Sequence, residues 1–156
     1  TPYFLPHSTE VAGLSIIPGG DNRYYNNLFL NGKHKKTEEN YRYGLSEYNN
    51  AVYPMFVSGN AYYMYNKPYD KEENNIVRKD FDPNVVIEDE GDRVYLSFSI
   101  TGLDDFQIQA ITTELLGKAK LPKQAYEQPD GTPIVFDRDY SVISVLVILF
   151  PDLSTK

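Results

Sequence analysis

Arg93 to Ile100 is the most regular stretch of the chain, with Val94, Leu96, Phe98 and Ile100 alternating with Tyr95, Ser97 and Ser99. Successive side chains leave a strand on opposite sides, so this pattern predicts a strand with one buried apolar face. Asn84 to Glu88 reads as its partner, Asp89-Glu90-Gly91-Asp92 as the turn between them, and Pro83 as a strand-entry residue that needs no ladder donor. Ile134-Val135-Phe136 predicts a short strand after the turn Gln128-Pro129-Asp130-Gly131-Thr132-Pro133. Val142 to Phe150 is rich in β-branched residues and stopped by Pro151, which predicts a buried strand. Phe106 to Leu116 fits two elements. Phe106, Ile108 and Ala110 alternate as in a strand, whereas Thr112 to Leu116 ahead of Gly117 fits a closing helix, and the alternation favours the strand.

The first third follows a different grammar. Arg23-Tyr24-Tyr25-Asn26-Asn27-Leu28-Phe29-Leu30-Asn31-Gly32 has a partial echo in Pro54-Met55-Phe56-Val57-Ser58-Gly59-Asn60-Ala61-Tyr62-Tyr63. Both are short apolar strands punctuated by Asn and Gly. Asn accepts a left-handed corner and bonds its own backbone, and in a parallel β-helix such residues stack from coil to coil. Two ordinary strands with Asn turns fit the same pattern. Asn66-Lys67-Pro68, Asp70-Lys71-Glu72-Glu73-Asn74-Asn75 and Asp80-Phe81-Asp82-Pro83 have the polar, Pro-bearing composition of an exposed linker. The predicted organisation is therefore all-β: terminal parallel β-helix-like coils over residues 1–66, a connector over 67–83, and an antiparallel β-sandwich-like region over 84–156.

Composition narrows the partners. With 156 residues, 41% of them hydrophobic and 24% charged, the chain has the makings of one ordinary core. Its net charge of -7 argues against nucleic acid or an anionic membrane, both of which call for clustered Lys and Arg. The basic run Lys33-His34-Lys35-Lys36 leads directly into Glu38 and Glu39 and reads as a solvated loop. Cysteine is absent, which removes disulfides and thiolate chemistry. The chain opens Thr1-Pro2-Tyr3, with neither Met nor a signal-like apolar region, and reads as a mature or excised fragment. Val142 to Phe150 is too short to span a bilayer as a helix.

Two stretches carry a resemblance. One is Pro6-His7-Ser8-Thr9-Glu10-Val11-Ala12-Gly13-Leu14 with Pro18-Gly19-Gly20-Asp21-Asn22-Arg23-Tyr24-Tyr25-Asn26-Asn27. The other is Thr112-Thr113-Glu114-Leu115-Leu116-Gly117-Lys118-Ala119, continuing to Tyr126-Glu127-Gln128-Pro129-Asp130-Gly131-Thr132-Pro133. In this order they resemble the C-terminal part of bacterial right-handed β-helix glycoside hydrolases of the β-xylosidase-like group. The resemblance implies a carbohydrate-handling, secreted or periplasmic protein. It also implies catalytic carboxylates on earlier coils, an upstream β-helix region that this chain lacks. Asn22 departs from the second acid expected there.

Glycoside hydrolysis needs two carboxyl groups, about 5 Å apart for retention or about 6.5–9.5 Å for inversion. Glu10 and Asp21 are the candidates, since both lie in the segment that carries the resemblance. His7 is placed to orient a carboxylate or meet a sugar hydroxyl, and Arg23 to hold a carboxylate in bidentate geometry; the bland alternative makes Asp21 and Arg23 a structural turn. Tyr24, Tyr25, Tyr62, Tyr63 and Tyr65 offer rings for stacking on sugars, although neighbours on a strand face opposite ways, so each adjacent pair gives at most one ring to a given surface. Glu88-Asp89-Glu90 with Asp92, or Asp137 with Asp139, are oxygen clusters that read as solvated turns rather than a metal site. Two histidines exclude a His-rich zinc centre, no phosphate loop is visible, and no organic cofactor is expected. The expected function is an accessory region that shapes or supports the carbohydrate cleft of a polysaccharide-degrading β-helix glycoside hydrolase. The alternatives are a stand-alone carbohydrate-binding module, with oligo- or polysaccharide as partner, and a purely structural cap.

Overall fold

A computed structural model describes residues 2–5, 7–14, 19–30 and 43–138. The protein is all-β. Its only helical turns among these residues are a 3-10 turn, Ser46–Asn50, and a four-residue turn, Thr113–Leu116. No helix among them is long and apolar enough to cross a membrane.

A bulged antiparallel hairpin, β1 (Pro2–Phe4) and β2 (Val11–Leu14), comes first. Then β3 (Arg23–Tyr25), β4 (Leu28–Phe29) and β5 (Tyr43–Gly44) are followed by β6 (Phe56–Ser58), β7 (Asn60–Tyr63) and β8 (Asn66–Lys67). Each strand of the first set pairs in parallel with its counterpart: β3 with β6, β4 with β7 and β5 with β8. Three short strands lying in register over three more are two successive coils of a parallel β-helix. The echo seen in the sequence is this register, with Arg23 opposite Phe56 and Leu28 opposite Ala61.

The corners explain the Asn and Gly. Between β3 and β4 the chain turns at Asn26 (φ 57°), and between β6 and β7 at Gly59 (φ 75°), both left-handed. A side chain at 59 would collide with Asn26 Oδ1, so glycine there serves both the turn and the close stacking of coils.

The strand β9 (Asn75–Arg78) corrects the connector expected over 67–83, because it pairs in parallel with β7 and extends the helix. Its Ile76 and Val77 join two different cores, one on each face of the sheet. The polar residues around it suggest a linker, but a strand this short needs only those two apolar positions.

On one face Phe29 and Tyr62 stack 4.7 Å apart with nearly parallel rings, and pack with Leu45, Tyr69 and Val77. On the other face Leu28, Ala61, Tyr63 and Ile76 are covered by Ile100, Leu103, Phe106 and Ile108. The segment predicted as a strand from Phe106 is thus a loop laid over the sheet, its alternating apolar residues used as a lid. Beyond it, β12 (Ile111–Thr112) leads into α1 (Thr113–Leu116). Thr112 Oγ1 caps the turn by accepting from Leu115 N, and Gly117 ends it at φ 68°. Cap and stop signals therefore prevail over the alternation.

The predicted hairpin is present as β10 (Val86–Asp89) and β11 (Val94–Ser97), antiparallel, with Ile87 opposite Leu96. Its apolar residues are not covered: Ile87, Val94 and Leu96 are all exposed. Phe98 and Ile100, later in the same alternation, are half-buried. The strand expected at 134–136 is β13 (Val135–Phe136), paired with β12. Residues 84–138 thus carry two separate antiparallel ladders. The strand expected at Val142 to Phe150 and the loop at Lys33 to Lys36 lie outside the described residues.

Between the coils sits a buried polar node. Asn60, fully buried, uses its whole side chain. Its Oδ1 accepts from Asn27 N (2.9 Å) and Asn27 Nδ2 (2.8 Å), and its Nδ2 donates to Tyr24 O (2.9 Å) and Glu72 Oε1 (2.7 Å). Asn75, opposite Asn60 on β9, donates to Glu72 O. We expect Asn60→Ala to cost about 3 kcal/mol of stability, because it strands several buried partners rather than one. Urea denaturation checks this, and a loss below about 1 kcal/mol would mean that water replaces the amide.

Candidate functional site

Most residues singled out in the sequence fall into three environments. His7 and Glu10 lie on the exposed connection of the first hairpin, where Leu5 N donates to Glu10 O and His7 adopts φ 59°. Asp21 and Arg23 come together, but as a clasp. The Arg23 guanidinium donates to Asp21 Oδ1 (2.8 Å), Leu116 O (2.8 Å) and Lys118 O (2.9 Å). It lies 4.3 Å from the Phe56 ring centre and 4.7 Å from that of Tyr126. Asp21 Oδ2 accepts from Lys120 N at 2.7 Å, and this bond, then the one from Arg23, holds the carboxyl below the usual aspartate range. Both oxygens of Asp21 and the whole fork of Arg23 are thus occupied within the chain. The third environment is the core. Tyr62 and Tyr63 are fully buried, one on each face of the sheet, and have no surface to stack on a ligand. Alternation places the two rings correctly on opposite faces, but both faces are covered.

Tyr24 is half-buried, and its hydroxyl lies 2.8 Å from that of Tyr48, a bond that raises its pKa to about 12. Burial likewise raises Tyr25, a half-buried ring. Tyr65 is 41% exposed, the most open of the five rings.

Glu72 belongs to the stretch whose composition suggests a solvated linker, and is instead buried at the node. It accepts from Tyr62 Oη (2.6 Å), Asn60 Nδ2 (2.7 Å) and Asn60 N (3.3 Å). Burial pushes its carboxyl above the ordinary glutamate range, partly offset by these donors. Burial and the bond to Glu72 also push the Tyr62 hydroxyl upwards. No local sequence signal marks Glu72, because its partners come from another coil.

An open groove of about 660 Å³ lies beside the 3-10 turn, β8 and β9. Ser46, Asn49, Asp70, Lys67 and Lys79 line it with Pro68 and Val77. A few polar groups on an apolar floor can bind a small hydroxylated ligand. A smaller hollow runs past Tyr53, Met55 and Tyr69. Among the described residues no group of three or more His, Asp or Glu side chains is placed to hold a metal.

Most of the chain has a counterpart in a solved structure. The chain is similar to XylC, solved in complex with xylose, with 36% identity and a TM-score of 0.67. The likeness covers 92% of this chain and 26% of XylC, so the chain spans about a quarter of that protein. No family model matches the chain, and no curated protein matches it.

Arg23→Ala should lower stability by about 3 kcal/mol, since it strands Asp21 and two carbonyls and empties the space between two rings. Arg23→Lys should recover only part, because one ammonium cannot bond in three directions and stack; equal melting of the R23K variant and the wild type would refute the clasp. For Glu72 the folded-state pKa exceeds the unfolded one, so the native state holds the proton more tightly. Its contribution is full below the ordinary value of 4.5 and is lost as pH rises through the folded value. Urea midpoints of wild type and Glu72→Gln should therefore diverge in favour of the Gln variant as pH rises from about 4 to about 8. A pH-independent difference would contradict this.

Proposed function

We propose that this chain is an accessory C-terminal region of a polysaccharide-degrading β-helix glycoside hydrolase, where it shapes or supports the carbohydrate cleft. The observation that carries this reading is the likeness to xylose-bound XylC, which covers 92% of this chain. The coil register agrees with it, because among the described residues β3, β4 and β5 pair only on the side of the following coil. Their other edge offers unpaired backbone groups on which a preceding coil can build. In this reading the reacting carboxylates come from those preceding coils. Neither candidate here is set up as a general acid: Asp21 is tied into the clasp, and Glu10 stands on an exposed turn. The protein would meet its glycan in a secreted or periplasmic setting.

Buried Tyr62 and Tyr63 favour a second reading, a structural cap without sugar affinity. Titrating the purified chain with xylose and xylo-oligosaccharides, with hydrolysis followed in the same samples, separates them. Binding in the millimolar range without turnover is expected. Turnover by this chain alone would overturn the accessory role, and absence of binding would leave the cap.

A further inference from the structure

The groove beside β8 and β9 is distinguished by its charge as well as its size. It is walled by two lysines, Lys67 and Lys79, in a chain whose net charge is -7. Neither ammonium has an ion-pair or hydrogen-bond partner among the described residues, although acidic residues outnumber basic ones by 22 to 15. Two unpaired cations facing one concavity make a local positive field against an acidic background, and such a field selects for an anion. Other residues of the groove speak for a hydroxylated body attached to that anion. Asn49 is anchored by accepting from Asp70 N at 2.9 Å, which leaves its amide nitrogen free to donate. The Asp70 carboxylate is an acceptor in the same wall, suited to sugar hydroxyls, and Val77 and Pro68 give a flat apolar floor.

We propose that this groove is a subsite for a carboxylate-bearing sugar, a uronic acid residue on a larger glycan. Lys67 and Lys79 hold the carboxylate, while Asn49 and Asp70 read hydroxyls. The assignment deepens the carbohydrate reading above and rests on it. It adds a charge preference that xylose, a neutral sugar, does not reveal.

The test uses calorimetric titration of the chain with two xylo-oligosaccharides of equal length, one neutral and one carrying a glucuronic acid branch. The acidic ligand should bind about fivefold tighter at low salt, and the advantage should shrink as salt is added. Lys67→Gln/Lys79→Gln should abolish the advantage of the acidic ligand over the neutral one. Both lysines are solvent-facing groove residues, so the variant should melt with wild type, and a melting curve confirms it. Asn49→Ala should weaken both ligands together. Equal binding of the two ligands by wild type would overturn the subsite and leave the sugar reading standing. Acid preference surviving in the double variant would also overturn it, by moving the anion elsewhere. Binding of neither ligand would overturn both. Sodium acetate competing as well as free glucuronate would reduce the groove to a plain anion site and overturn the sugar assignment.

Discussion

The coils of this protein are tied together through one buried amide. A parallel coil has few ways to fix its register, because its strands here are two to four residues long and each offers only a few ladder bonds. Asn60 settles register by specificity rather than by number. Its side chain has four bonding positions, and all four are filled, by Asn27 twice, Tyr24 and Glu72. A slip of one residue would turn that amide to the opposite face of the sheet and leave its partners unmatched. Such a network is favourable only when complete, since a buried donor or acceptor without a partner costs more than an average hydrogen bond gains. Glu72 completes it, and Tyr62 completes Glu72. The carboxyl is the most expensive member to bury, which is why its pKa rises even with three donors around it.

A second tie depends on the first. With β3 held under β6, the ring of Phe56 lies against the Arg23 guanidinium, opposite its paired position in the next coil. Tyr126 adds a second ring to the guanidinium, and its nitrogens take the carbonyls of Leu116 and Lys118 at the end of α1. One cation thereby fastens the antiparallel region to the first coil. Its desolvation is compensated because Asp21 neutralises it and every direction of its fork meets an acceptor or a ring. The same arithmetic separates structural from ligand-facing cations. Arg23 has partners on all sides, whereas Lys67 and Lys79 have none for their ammonium groups among the described residues.

Much of the fold was legible because it rests on local signals. The β10–β11 hairpin follows from alternation with Asp89-Glu90-Gly91-Asp92 between the runs, and the coil corners follow from Asn26 and Gly59. What escaped is what depends on partners far along the chain. β9 has two inward apolar residues in a polar stretch, too few to register as periodicity, and it is a strand because β7 offers it an edge. Phe106 and Ile108 alternate like a strand yet serve as part of a lid, since alternation shows that one side is buried and not what buries it. The tyrosines were legible as rings on opposite faces, but nothing local says that both faces are covered. Of the site, Asp21 and Arg23 stood out as polar candidates, whereas their long-range clasp, Glu72 and the groove depend on contacts between distant parts of the chain.

The division of labour between the two ends of the coils follows from these constraints. The edge formed by β3, β4 and β5 keeps its backbone groups unpaired among the described residues, so it can be extended by another coil without changing the register below it. The opposite end is covered only in part among the described residues. β9 covers only β7, leaving β6 and β8 without a following strand among the described residues. Where β8 lacks a neighbour, the chain does not fill the space with apolar side chains; it leaves the groove, lined by lysines, asparagine and aspartate. An end meant only to stop growth is best served by a tight, uncharged cover or by scattered charges with no concavity. A concave, polar and locally positive end is a costlier way to terminate a β-helix, and the proposed subsite would give that shape a physical reason.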